Sequence, residues 1–166
     1  PKHARDTVIV ADEGGMGKTY AALIVAIHYY RKHGGSVIVL CPPLMKDEWF
    51  KAFSKVSGVK VRRRSAECLT DHPFEEGVTI ISKYSLLNHW MSDAARDDLE
   101  KRVELCILDE GHEGMIAGGA NFNAAMKASI QDVLRHSKRR LIATATPIRK
   151  SWADLRALLD ATIVDD

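Results

Sequence analysis

Asp12-Glu13-Gly14-Gly15-Met16-Gly17-Lys18-Thr19 is the stretch on which the fold turns. An apolar run, Thr7-Val8-Ile9-Val10-Ala11, leads into it, and an alanine-rich apolar segment from Tyr20 to Tyr30 follows, so the octet lies between a predicted strand and a predicted helix. That is the setting a phosphate-binding loop requires; the bland alternative is a glycine-rich turn before a helix. Glycines 14, 15 and 17 let successive backbone N–H groups close around phosphate oxygens, and the helix starting near Lys18 adds its positive end. Lys18 is expected to reach the outer phosphates, and the Thr19 hydroxyl to join the shell of a Mg²⁺ ion. Gly14, Gly15, Met16, Gly17, Lys18, Thr19 and Tyr20 form the expected nucleotide-contact set. The general pattern has glycine at its first position, where this chain has Asp12.

With 166 residues, 46% hydrophobic and 28% charged, the chain has the length and balance of one folded domain and not of a disordered segment. The formal charge of +2 means that any nucleic-acid contact must come from local patches. Arg62-Arg63-Arg64 and Lys138-Arg139-Arg140 are the two candidates, each readable as a phosphate contact or as a solvated strand end. Cys41, Cys68 and Cys106 lie too far apart for a C-x-x-C pair, which predicts free thiols in a reducing cytosol, with Cys41 and Cys106 in the core. The longest apolar stretch, Ala21 to Ile27, falls far short of the roughly 20 residues of a membrane span, so no membrane partner is expected. The abrupt start at Pro1, without a methionine, predicts a fragment of a longer chain.

Gly34-Gly35 ends the first helix, and the continuous Val-Ile-Val-Leu run of Ser36 to Cys41 predicts a strand covered on both faces. Pro42-Pro43 stops it, and Leu44, Trp49, Phe50 and Phe53 recur at helical spacing through Val56. Strands are predicted at Val59–Arg62, Val78–Ser82, Val103–Leu108 and Arg140–Ala143. Helices are predicted over Tyr84–Arg102 (with a break at Ser92-Asp93), Asn121–His136 and Ser151–Ala161, and a mobile loop through Gly118-Gly119. Strands alternating with helices predict an α/β fold with a mostly parallel central sheet and helices on both faces. Ligands in such sheets lie at the carboxyl ends of the strands. Three polar motifs fall at such ends: the phosphate loop, Asp109-Glu110, and Thr144-Ala145-Thr146.

Two acids at the tip of a buried strand are costly unless a cation compensates them. Asp109 is therefore expected to hold Mg²⁺ through its waters and Glu110 to orient and deprotonate an attacking water. A metalloprotease reading of His112-Glu113 fails, because no histidine stands four residues after His112.

In order along the chain, D-E-G-G-M-G-K-T (12–19), V-L-C-P-P-L-M-K-D-E-W (39–49), I-I-S-K-Y (80–84), L-D-E-G-H (108–112) and A-T-A-T-P-I (143–148) resemble the first RecA-like lobe of superfamily II helicases, most closely the Swi/Snf-type ATPases. That family's loop usually reads D-E-x-G-x-G-K-T, which accounts for Asp12. Gly111 stands where the family has alanine, and Ala145 where glycine is common. The resemblance covers nearly the whole chain. It implies that Lys18 and Thr19 bind ATP and Mg²⁺, that Asp109 and Glu110 are the metal and water-activating acids, and that His112, Thr144 and Thr146 couple nucleotide state to the DNA path. It further implies that Pro42, Leu44, Ser82 and Lys83 lie in motifs touching the DNA backbone. An adenine-recognising segment before Thr7 and a second RecA-like lobe with an arginine finger after Asp166 are both missing, so 1–166 is expected to be one lobe of a larger motor. The expected function is ATP-driven translocation on double-stranded DNA, in the cytoplasm or a nucleus. The alternatives are a DNA or RNA helicase, the motor of a restriction or phage-defence system, or a nucleotide-binding scaffold without turnover.

Overall fold

The computed structural model describes residues 7–11, 17–65, 74–88, 91–111, 113, 115, 123–144 and 156. Six strands among them form one sheet: β1 (Thr7–Ala11), β2 (Ser36–Cys41), β3 (Val61–Arg64), β4 (Gly77–Ser82), β5 (Val103–Asp109) and β6 (Arg140–Thr144). Their order across the sheet is β1-β6-β5-β2-β4-β3, and every pairing is parallel. Parallel neighbours need crossovers, and four of the connections carry a described helix: α1 (Gly17–His33), α2 (Lys46–Ser54), α3 (Asp93–Arg102) and α4 (Ala124–His136).

The central strands are buried at every position because both faces are covered. Alternate residues of β2 serve opposite cores. Val37 and Val39 join Ala22, Ala26, Trp49 and Phe53 from α1 and α2, while Ile38 and Leu40 join Leu99, Ile130 and Leu134 from α3 and α4. Period-2 side-chain alternation is why one apolar run feeds both layers.

Local chemistry sets the boundaries. Gly34, at φ 66°, ends α1 in the left-handed conformation, with its N–H donating to the Tyr30 carbonyl at 2.8 Å. Ser92 caps α3 by accepting from the Ala95 N–H at 3.1 Å, and Asn123 caps α4 by accepting from the Met126 N–H at 3.0 Å. Capping at Ser92 resolves the break expected in Tyr84–Arg102: Lys83–Asn88 is a 3-10 turn and, among the described residues of that span, Asp93–Arg102 is α-helical. Pro43–Met45 is likewise a 3-10 turn before α2, so the helix is shorter than the apolar spacing from Leu44 suggested. Strand β3 begins at Val61, two residues beyond its expected start, as the partner of Val78. Gly77, at φ 120°, accommodates that approach, since a Cβ there would stand 2.5 Å from the Lys60 carbonyl. Cys41 and Cys106 are buried free thiols, as expected. Cys68, the Gly118-Gly119 loop and most of the expected closing helix lie outside the described residues.

Candidate active site

All six strands run the same way, so their carboxyl ends share one rim. Register fixes three of those ends side by side: Ala11 of β1 faces Thr144 of β6, and Asp109 of β5 faces Ala143 of β6. Lys18, which closes the same rim from the first turn of α1, meets Glu110 there, although more than 90 residues separate the two in sequence. Gly14, Gly15 and Met16, with His112 and Thr146, lie outside the described residues. Gly17 opens α1, putting Lys18 and Thr19 in its first turn.

Lys18 is not a side chain exposed in an open loop. It is 5% exposed, and its ammonium is ion-paired with the Glu110 carboxylate. The reason lies in packing: α1 crosses over β5 and β6, which covers the lysine stem and directs its head to the strand-end acid. Thr19 is also buried, whereas Tyr20 is half exposed. Thr19 and Tyr20 line a cavity of about 260 Å³ between α1 and α2, with Glu48, Lys51 and Lys55 on its other side.

Asp109 is buried at the end of β5. Its Oδ2 accepts from the indole N–H of Trp49 at 2.8 Å and its Oδ1 from the backbone N–H of Glu110 at 3.0 Å. Burial pushes the Asp109 carboxyl above its ordinary range and the Glu110 charge adds to this, while the Trp49 bond, Lys18 and the Glu110 N–H pull it back. The sequence shows Trp49 as one of the aromatics at helical spacing and as the end of the 39–49 motif; its role as a donor to Asp109 depends on a contact across 60 residues of sequence.

Glu110 is the one described non-glycine residue with positive φ, at 50°. Such a conformation costs about 1 kcal/mol or more and persists only where neighbours impose it. Several neighbours do so here. The Gly111 N–H donates to the Ala143 carbonyl at 3.0 Å, and the Glu113 N–H donates back to the Glu110 carbonyl at 2.8 Å.

Lys83 requires a correction. Expected at the DNA backbone, it is fully buried, and its ammonium donates to the carbonyls of Asp109 (3.2 Å), Glu110 (2.8 Å) and Glu113 (3.2 Å). A side chain so engaged has no donor left for a phosphate. Ser82 is buried beside it in β4, Pro42 is half-buried, and Leu44 stands 94% exposed. Of the two basic triplets, Lys138-Arg139-Arg140 lies at the amino end of β6, opposite the rim. There Lys138 and Arg139 pair with Glu104, and buried Arg140 donates to the Leu134 carbonyl at 2.6 Å, which favours a structural role. On the edge strand β3, Arg63 pairs with Asp47 and lies 4.4 Å from the Phe50 ring centroid, and Arg62 bonds the Glu76 carbonyl at 2.9 Å.

A profile of the SNF2-related domain matches residues 2–165. The chain belongs to that family. Members similar to this SNF2-related domain include the human DNA repair and recombination protein RAD54B, 27% identical over 95% of this chain and 18% of that protein. The ISWI chromatin-remodeling complex ATPase ISW2 of Saccharomyces cerevisiae is 24% identical over 95% of this chain and 14% of that protein. The chain thus spans less than a fifth of the relatives it matches. Among solved structures, the Sulfolobus solfataricus SWI2/SNF2 ATPase core domain superposes with a TM-score of 0.70 at 17% identity, over 95% of this chain and 31% of that one. The Pyrococcus furiosus Hef helicase domain superposes with a TM-score of 0.66 at 18% identity, over 98% and 34%. These likenesses bear out the parallel α/β fold of a RecA-like lobe. Among the described residues, no helix is long and apolar enough to cross a membrane.

Proposed function

We propose that this SNF2-related domain is the ATP-binding first lobe of a motor that translocates on double-stranded DNA, completed by a second RecA-like lobe that supplies an arginine finger. The observation that carries the reading is the convergence of Lys18, Thr19, Asp109 and Glu110 at one rim of the sheet, with Lys18 paired to Glu110. Family membership and the likeness to SWI2/SNF2 ATPase cores, one of them described in complex with dsDNA, support it.

The chemistry follows from what each side chain can donate or accept. Lys18 holds its charge where phosphates would meet the first turn of α1, and the helix end adds favourable potential. When phosphate oxygens take that ammonium, Glu110 loses its ion-pair partner and its carboxylate is left to accept a proton from water. Thr19 and Asp109 fit Mg²⁺: a hydroxyl and a carboxylate are hard oxygen donors, and each Asp109 oxygen, though engaged once, keeps a lone pair for a metal-bound water. Mg²⁺ bound there would neutralise phosphate charge. Thr144, buried where β6 meets β1, is the described member of the expected coupling set.

Turnover by the full-length protein tests the assignment. Glu110→Gln should bind ATP normally and lose DNA-stimulated hydrolysis by about 10²-fold or more, the scale of a missing general base. Undiminished hydrolysis would place the base elsewhere. Displacement of a triplex strand without separation of duplex strands would identify a translocase; strand separation would identify a helicase.

A further inference from the structure

Beneath the acid turn lies a cation that the reaction scheme does not use. Lys83 begins the 3-10 turn after β4, and its ammonium is completely enclosed. A lysine has three N–H donors and no acceptor, and here three backbone carbonyls of one loop, those of Asp109, Glu110 and Glu113, receive them. The Glu113 carboxylate, 3.7 Å away, supplies the countercharge and is itself bonded by the Tyr84 hydroxyl.

Burying an ammonium is unfavourable, and burial pulls the Lys83 pKa down while Glu113, Asp109 and Glu110 draw it back up. A surface position would avoid that cost, so the burial calls for an explanation at the place where the charge is applied. That place is the backbone of Glu110, held at φ 50°. Its carbonyl accepts from both Lys83 and the Glu113 N–H, which fixes the peptide plane following Glu110 and hence the direction in which its carboxylate leaves the chain.

We propose that Lys83 is a positioning residue for Glu110, gripping the 109–113 backbone so that the carboxylate points into the nucleotide site, and that it ties this aim to the segment following β4. The inference rests on Glu110 being the water-activating base. Lys83 itself touches no reacting atom. Because Lys83 starts the turn that Tyr84 continues, a shift of that turn is transmitted directly to the carbonyls of Asp109, Glu110 and Glu113.

The test compares Glu110→Gln, Lys83→Met and the pair Lys83→Met/Glu113→Gln in the full-length protein. Methionine keeps the length of the stem without the charge, and the double variant removes the Glu113 countercharge with it, so that the ion pair is deleted as a unit should the single variant fail to fold. The expected result for whichever Lys83 variant folds is a kcat lowered about 10- to 100-fold, the scale of misaiming a catalytic group by about an ångström. Nucleotide affinity and KM for ATP should stay within about twofold, because Lys18 and Thr19 are untouched. A structural lesion alone would move affinity and kcat together. Wild-type kcat in a folded Lys83 variant, alongside a dead Glu110→Gln, overturns the positioning role. Wild-type turnover in Glu110→Gln overturns the underlying assignment and with it this one.

Discussion

The indole N–H of Trp49 meets Oδ2 of Asp109 at 2.8 Å with both side chains buried, so a residue of α2 sets the orientation of the strand-end carboxylate. The bond answers two needs together: the indole has a single donor that must find a partner in the core, and the carboxylate must keep one oxygen aimed consistently.

Trp49→Phe preserves an aromatic ring on Phe53, 6.0 Å away, and deletes the donor. The expected cost is about 1–3 kcal/mol of stability, since a buried acceptor loses its partner. Chemical denaturation of the two proteins measures it. Loss of a bond that favours the ionised carboxyl should also weaken Mg²⁺-dependent nucleotide binding, which isothermal titration at several Mg²⁺ concentrations would resolve.

Lys18→Ala should abolish most ATP affinity, and it should also lower stability by about 1–3 kcal/mol, because the change removes buried methylenes and the Lys18–Glu110 ion pair. An exposed loop lysine would cost almost nothing on folding. Thermal melts without nucleotide separate the two, and an unchanged Tm would contradict the buried placement.

The raised pKa of Asp109 carries a definite sign. The native state binds this proton more tightly than the unfolded chain, so stability contributed by the group is full below the ordinary carboxylate value of 3.8 and falls as pH rises through the raised native value. Asp109→Asn removes that dependence, leaving a pH-independent offset from an amide N–H₂ facing a donor. The variant-minus-wild-type difference in Tm should therefore grow more positive as pH rises above the ordinary carboxylate value. A difference that grows more negative would mean that Asp109 is held ionised instead.

Burial pushes the thiols of Cys41 and Cys106 up to about 12. Both stay protonated near neutrality and enclosed, so iodoacetamide at mildly alkaline pH should leave them unlabelled in the native protein and label them after denaturation. Peptide mass spectrometry distinguishes the two states; rapid native labelling of either would place it outside the core.

Much of this was legible before any coordinates. Short apolar runs at Val37–Cys41 and Leu105–Leu108, bounded by turn and polar residues, read as strands buried on both faces, and polar clusters directly after strands marked the functional rim. Trp49 could not be read in the same way, because its partner lies on another strand and composition says nothing of who meets whom. The burial of Lys83 was illegible for a different reason, since its place at the DNA backbone was implied by the resemblance alone. Lysine is exposed by default, and only the three carbonyls that converge on it make burial tolerable. The break expected at Ser92-Asp93 is where Ser92 caps a fresh helix, but the 3-10 form of Lys83–Asn88 before it was not legible, because a short apolar stretch does not tell a 3-10 turn from an α-helix.

Strand β1 pairs with β6 alone among the described strands, Thr7 lying opposite Arg140. The earliest of the described strands in the chain must therefore wait for the last described one before it has a described neighbour, and contacts so distant in sequence are slow to form because a long loop must close first. The interior strands β5, β2 and β4 can associate earlier. Assembly is then ordered: a preformed sheet carries Asp109 and Glu110, and Lys18 reaches them only when β1 docks at the edge. A nascent or truncated chain ending before Arg140 would display an apolar, unpaired β1, open to chaperones and to aggregation, with no competent ATP site.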